Sequence, residues 1–187
     1  MGKQKELWEE RYKVVVSPCE WFESPREYNE RTTMVCFHKR YNLGDEHDYK
    51  EKDFSSWDEL KKRIMKEHKV SCIKPLYMYE HSGITISTKP FSCHWDSGQI
   101  GWVFTTRGDG WKRVSKKRHA YLSLLIEADV NTYDSYLRGD AYKYEIVDLK
   151  ADPAGDTIVA TEYEFLSEEE ALREGESMAD VLFVRGN

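Results

Sequence analysis

Along the chain, short β-branched and aromatic runs give way to stretches whose apolar residues recur every three or four positions. Tyr12-Lys13-Val14-Val15-Val16, closed by Ser17-Pro18, reads as a first strand. Pro18 and Pro25 then break the pattern, and a loop is expected from there through Asn29-Glu30-Arg31. Thr32-Thr33-Met34-Val35-Cys36-Phe37-His38 has strand composition and stops at a turn over Asn42-Leu43-Gly44-Asp45. After an exposed charged segment, Ser56-Trp57-Asp58-Glu59 has the form of a capping box, and Trp57, Leu60 and Ile64 continue at helical spacing. A helix over about 57–68 with one apolar face is predicted.

From Val70 to Phe104 the period falls to two, and three short antiparallel strands are predicted over 76–79, 83–87 and 100–105, punctuated by Pro75, Gly83 and Pro90. Lys89 to Gln99 reads as a long connection, with Asp96-Ser97-Gly98 as a turn and Gly98 at positive φ. Arg107-Gly108-Asp109-Gly110 is a further turn. Ser115 caps a second helix, whose Leu122, Ile126, Val130, Tyr133 and Leu137 share one face and which Arg138-Gly139 ends. Residues 142–147 and 157–163 flank Asp152-Pro153-Ala154-Gly155 as a hairpin, and Ser167-Glu168-Glu169-Glu170 opens a short acidic helix through about Asp180. Interspersed helices without regular βαβ alternation predict an α+β fold, mainly antiparallel sheet with two or three helices packed on it. No linker or repeat divides the 187 residues, so one domain is expected, with the acidic segment 162–187 at its periphery.

Composition narrows the function classes. With 34 acidic against 28 basic residues the formal charge is −6, which excludes a protein that coats nucleic acid along its whole surface. No apolar run approaches the roughly 20 residues of a bilayer span, and Met-Gly-Lys-Gln-Lys-Glu lacks the apolar stretch of a signal peptide, so a cytoplasmic protein without membrane contact is expected. Cys19, Cys36, Cys72 and Cys93 form no CxxC pair, which argues against a zinc ribbon or redox centre and for reduced, buried thiols.

No phosphate-loop, dinucleotide, HExxH or GxSxG motif is present, so no cofactor is expected and catalysis is left open. Two polar clusters remain: His38, Arg40, Asp45, His47 and Asp48, then His81, Cys93, His94, Asp96 and Gln99. If they converged, imidazole and carboxylate groups could ligate a metal and activate water, though Asp45 and Asp48 serve equally as turn caps. Cys93 beside a histidine could act as a nucleophile, against the simpler reading of a packed thiol. Trp95 and Trp102 would flank a rigid elbow at that connection, suited to packing or to a stacking surface. Trp111-Lys112-Arg113 with Lys116-Lys117-Arg118 is a basic block able to meet phosphate or an acidic partner, while the glutamates after residue 161 form an acidic tail.

Three stretches carry a resemblance. Thr33 through Asp45, Ser82-Gly83-Ile84-Thr85-Ile86-Ser87 through Phe91-Ser92-Cys93-His94-Trp95-Asp96-Ser97-Gly98-Gln99-Ile100-Gly101, and Val130 through Tyr142 resemble a family of small uncharacterised proteins encoded mostly by phages and plasmids. The resemblance covers roughly residues 30–146 and implies an accessory role for a mobile element, such as counter-defence. The leading expectation is therefore a protein that binds a host protein or a small nucleotide-like ligand, with the elbow and nearby histidines as its working surface. The binding residues expected are His38, Arg40, Asp45, His47, His81, His94, Trp95, Asp96, Gln99, Lys116, Lys117 and Arg118. The competing expectations are a metal-assisted hydrolase of a phosphate-containing substrate, which needs both clusters to meet, and a purely structural domain without ligand.

Overall fold

The computed structural model describes residues 8–21, 23–28, 31–93, 95–107, 114–151 and 157–186. These form an α+β protein with seven strands in two antiparallel sheets and four α-helices among the described residues. The chain packs as two compact units, one from the described residues up to 21 together with those from 139 onward, the other from residues 23–138. Among the described residues no helix is long and apolar enough to cross a membrane.

The first unit has strand β1 (Tyr12–Pro18) at one edge of a three-stranded sheet whose other members form a hairpin. The larger unit supplies α1 (Pro25–Tyr28), β2 (Thr33–Cys36), α2 (Trp57–Glu67), β3 (Val70–Glu80), β4 (Ile84–Ser87), β5 (Ser97–Thr106) and α3 (Lys116–Arg138), with a single 3-10 turn over Glu51–Asp53. Then β6 (Tyr142–Asp148), β7 (Thr157–Phe165) and α4 (Glu168–Arg185) complete the first unit. Its sheet runs β1-β6-β7, as the predicted hairpin requires, and α4 covers one face through the small residues Ala171, Gly175 and Ala179. A Cβ on Gly175 would stand 2.6 Å from Val14 Cγ1, so only glycine lets the helix lie this close to the sheet. The acidic helix is longer than predicted, reaching Arg185, because its apolar face continues through Leu182 onto Trp8 and Tyr12.

The larger unit is a four-stranded sheet, β2-β5-β3-β4, between two helices. Leu122, Ile126, Val130 and Tyr133 of α3 pack on Met34, Leu76, Met78, Ile86 and Val103, while Leu60 and Ile64 of α2 pack on Val35, Trp102 and Phe104. Alternate residues of β2 and β5 thus face different helices, and Met34 to Cys36 and Ile100 to Thr105 are buried without a break, the pattern of a strand covered on both sides. Strands β2 and β5 approach so closely that a Cβ on Gly101 would lie 2.0 Å from the Val35 carbonyl oxygen. All three predicted caps form: Ser56 Oγ accepts from Glu59 N–H at 3.3 Å, Ser115 Oγ from Arg118 N–H at 3.2 Å and Ser167 Oγ from Glu170 N–H at 3.2 Å.

Several local expectations are corrected. The segment after Pro25 is a helical turn, with proline at its first position and Ser24 Oγ accepting the Arg26 N–H at 3.2 Å. Pro75 lies inside β3, which is continuous over 11 residues; β4 pairs only with Tyr77–Glu80, so at Pro75 one side of the strand is an edge and an absent N–H is tolerated. Ser97 and Gly98 belong to β5 rather than to a turn, and Gly98 has no positive φ. The Asp152–Gly155 and Gly108–Gly110 turns lie outside the described residues. All four cysteines are free, and of these Cys36 and Cys72 are buried. Burial pushes the Cys36 thiol up to about 12, helped by the nearby Asp45.

Asp45 is a fold residue. Its carboxylate accepts two hydrogen bonds from Arg26, at 2.8 and 2.7 Å, and a third from the Met34 N–H at 2.8 Å. Arg26 also donates to the Thr32 carbonyl at 2.7 Å, and its side chain is only 5% exposed. In Arg26→Met the half-buried carboxylate, 22% exposed, is left without its cation. Urea unfolding should then show a loss of about 1–3 kcal/mol, the range for losing charge-assisted hydrogen bonds; a loss under about 0.5 kcal/mol would remove the pair from its anchoring role.

In the first unit Arg11 donates to Asp148 at 3.1 and 3.0 Å and holds that carboxyl below its ordinary value of 3.8. A folded pKa below the unfolded one gives stability that is complete above the unfolded value and is lost as pH falls through the folded value. Thermal midpoints followed by circular dichroism from about pH 5 to about pH 2 should therefore fall less steeply in Asp148→Asn than in the parent chain.

Candidate functional site

Where β3 ends, three segments meet. Glu80 is the last residue of the strand, and its backbone N–H donates to the Asp96 carbonyl at 2.8 Å, fixing the 88–96 connection against the strand end. The chain then reverses through His81, Ser82 and Gly83; Ser82 takes a left-handed φ of 57°, and the His81 N–H reaches the Gly83 carbonyl at 3.2 Å. The third segment is the loop after β2, which Arg26 and Asp45 hold against that strand.

The Glu80 carboxylate gathers the residues of that loop. Tyr41 Oη donates to it at 3.1 Å, Arg40 forms an ion pair with it, and His38 Nε2 lies 3.9 Å away. The His38 and Tyr41 rings stack with centroids 5.1 Å apart and planes 10° apart, and the Arg40 guanidinium lies over Tyr41 at 5.4 Å. Because the Arg40 N–H points at His38 Nδ1 at 3.4 Å, a neutral His38 carries its proton on Nε2, facing Glu80.

Opposite this array, His81 Nδ1 stands 3.6 Å from Asp96 Oδ2, and the Cys93 thiol donates to the same oxygen at 3.7 Å. A thiol that donates to a carboxylate is part of a turn, so the arrangement gives no support to a Cys–His nucleophile at Cys93. Ser97 Oγ donates to the Cys93 carbonyl, and Tyr79 stacks on His81 at 6.0 Å. Together the two sides enclose a groove of about 700 Å³ lined by His38, Arg40, Glu80, His81, Trp95 and Asp96. Trp95 is 95% exposed, whereas Trp102 is buried and donates its indole N–H to the Trp57 carbonyl at 2.9 Å, so the two do not flank a common elbow.

Thus His38, Arg40, His81, Trp95 and Asp96 come together as one surface. The other expected residues do not join it. Asp45 is committed to Arg26, and His47 lies 3.0 Å from the Cys36 carbonyl through Nε2 and lines a different cleft with Asp48. Gln99 is a β5 residue whose amide donates to the Gly101 carbonyl at 3.1 Å. Lys116, Lys117 and Arg118 are exposed on the first turn of α3 and do not line the groove; Trp111-Lys112-Arg113 and His94 lie outside the described residues. The convergence of both clusters that a metal-dependent hydrolase needs is therefore not made by Asp45 and His47. Among the described residues no group of three or more His, Cys, Asp or Glu side chains can hold a metal ion.

Sequence reasoning missed Glu80 and Tyr41. Their signal was available but faint: Glu80 continues the period of two from Leu76 and Met78, which puts a carboxylate on a face that is otherwise apolar.

Because Trp95 touches solvent almost completely, Trp95→Phe should lower the iodide-quenchable fraction of the tryptophan emission while changing stability by no more than about 0.5 kcal/mol. Unchanged quenching would mean the indole is covered in solution. In comparisons with protein families, curated proteins and solved structures, the chain matches none.

Proposed function

We propose that the protein is an accessory interaction protein of a mobile genetic element, and that it captures a host protein through the groove beside Trp95. The observation that carries the reading is an indole 95% exposed at the rim of a groove built from three separate chain segments. Buried tryptophan is the rule, and tryptophan is enriched where interfaces draw most of their binding energy.

The three stretches that resemble phage and plasmid proteins support the same surface. The third supplies scaffold: Tyr133 Oη accepts the Gly44 N–H at 3.2 Å, and Asp134 accepts the Ile86 N–H at 2.7 Å, each tying α3 to one of the other two stretches. Within those two, the strand residues and the Gly44-Asp45 turn serve the core. His38, Arg40, Trp95 and Asp96 lie outside the core and line the groove. The charged groups there are already paired with one another, which suits a protein surface more than a free phosphate.

Affinity capture from host lysate should recover one defined protein in stoichiometric amount. Its affinity for Trp95→Ala should fall about thirtyfold or more, the effect of removing an interface anchor, while Lys116→Glu with Lys117→Glu leaves it unchanged. Capture that is indifferent to Trp95→Ala overturns the reading.

A further inference from the structure

A cleft of about 920 Å³ in the 23–138 unit lies where one flank of α2 faces the loop over residues 46–54. We propose that it is a second binding site, independent of the Trp95 groove, and that it takes a nucleoside monophosphate.

The cleft has an aromatic interior. Tyr49 stands at its centre, with ring centroids of His47, Phe54 and His68 at 5.9, 6.0 and 6.5 Å, and His68 in turn lies 5.3 Å from Phe104. The rings meet tilted or edge-on, with 47°, 60° and 66° between Tyr49 and its three neighbours, and the partly exposed Tyr49 and Phe54 and the exposed His68 give an aromatic wall against which a planar heterocycle can pack. The interior is also ordered by polar bonds. Tyr49 Oη donates to Glu67 Oε2 at 2.7 Å, so His68 Nε2, 3.0 Å from the same oxygen, is the donor to it. Arg63 holds the other Glu67 oxygen at 2.5 Å. Burial, then the bond to Glu67, pushes the Tyr49 hydroxyl pKa upward, so the ring stays neutral.

The charges at the mouth divide by side. Glu67 is engaged with Tyr49 and Arg63, and Glu59 accepts the Ser55 N–H and hydroxyl at 2.8 and 2.7 Å. On the α2 lip Lys62, within electrostatic reach of Glu59, and Lys66 one turn on are both exposed, while Glu46, Asp48 and Asp53 are exposed on the loop lip. Two ammonium groups on one lip fit a phosphate; carboxylates on the other accept hydrogen bonds from sugar hydroxyls and base amino groups. One interior acceptor also waits for a donor. His47 Nε2 faces the Cys36 carbonyl at 3.0 Å and must donate to it, so a neutral ring leaves Nδ1 as an acceptor, and that atom is buried without a partner. A ring between lips of opposite sign matches a base, a sugar and a phosphate in one ligand. A bare anion would use only the lysines and would meet the loop carboxylates.

Isothermal titration of the full chain at low salt with the four ribonucleoside 5′-monophosphates tests this. At least one should bind with a Kd of about 100 μM or tighter, and ribose 5-phosphate, the matching nucleoside and inorganic phosphate should each bind at least about tenfold more weakly. Lys62→Ser with Lys66→Ser, both exposed, should keep the circular dichroism spectrum and weaken nucleotide binding at least about tenfold, whereas Trp95→Ala leaves it unchanged. The proposal is overturned if none of the four binds below about 5 mM, if ribose 5-phosphate binds as tightly, or if the double variant binds as the parent does.

Discussion

Arg26 reaches from a single helical turn and closes a two-point contact on Asp45, 19 positions away, while Asp45 also accepts the first N–H it meets on β2. The guanidinium is almost wholly enclosed, so each partner compensates a charge that would otherwise be stranded away from water. The geometric consequence is larger than the energetic one. With both ends of the 37–45 segment pinned to β2, its intervening residues have little choice but to arch over the end of the sheet. Gly44 completes the closure at φ 76°, where a Cβ would strike the Met34 carbonyl oxygen at 2.6 Å. His38, Arg40 and Tyr41 reach Glu80 because that arch is fixed.

The sheet beneath imposes the second constraint. Covered by helices on both faces, the sheet keeps β5 buried from Ile100 to Thr105, and polar chemistry gathers at strand ends and flanking loops. The groove stands at one such end, where β3 stops at Glu80. The second cleft forms along the flank of α2, the part of that helix its packing residues leave uncovered.

Much of the framework was legible because its signals are local. Ser56 and Ser167, each with a glutamate three residues on, announce a helix start, and the apolar face of α3 repeats regularly enough to be counted. The corrections share a cause: each depends on a neighbour that is remote in sequence. Pro75 stays in a strand because β4 is too short to pair beside it, and Ser97 and Gly98 extend β5 because Tyr79 and Met78 lie opposite them. Asp45 looked like a candidate ligand for want of any local sign of Arg26. His38 and His47, nine residues apart, looked like one cluster; the loop between them crosses the end of β2 and sends one to Glu80 and the other to the Cys36 carbonyl. The groove was half legible for the opposite reason. Its unusual residues are concentrated in one connection, whereas Glu80 and Tyr41 are ordinary residues whose role only the fold confers.

Energetics give the exposed indole its weight. Burying a large apolar side chain contributes about 1.5–3 kcal/mol, and Trp95 takes almost none of it, although Tyr79 and Phe91 pack against each other with centroids 5.7 Å apart in the same region. Its neighbours in the chain are held: Asp96 bonds Glu80, His81 and Cys93, and Ser97 enters β5. An apolar anchor on a backbone fixed at its base loses little conformational freedom when a partner covers it, so more of the free energy of burial goes into association. The same holds for Tyr41 and His38, whose stacked rings and shared carboxylate restrict them before anything binds. A groove ordered in this way favours one partner geometry over a range of loosely fitting ones, because a misaligned surface would strand Glu80 or Asp96 without recovering the burial of Trp95.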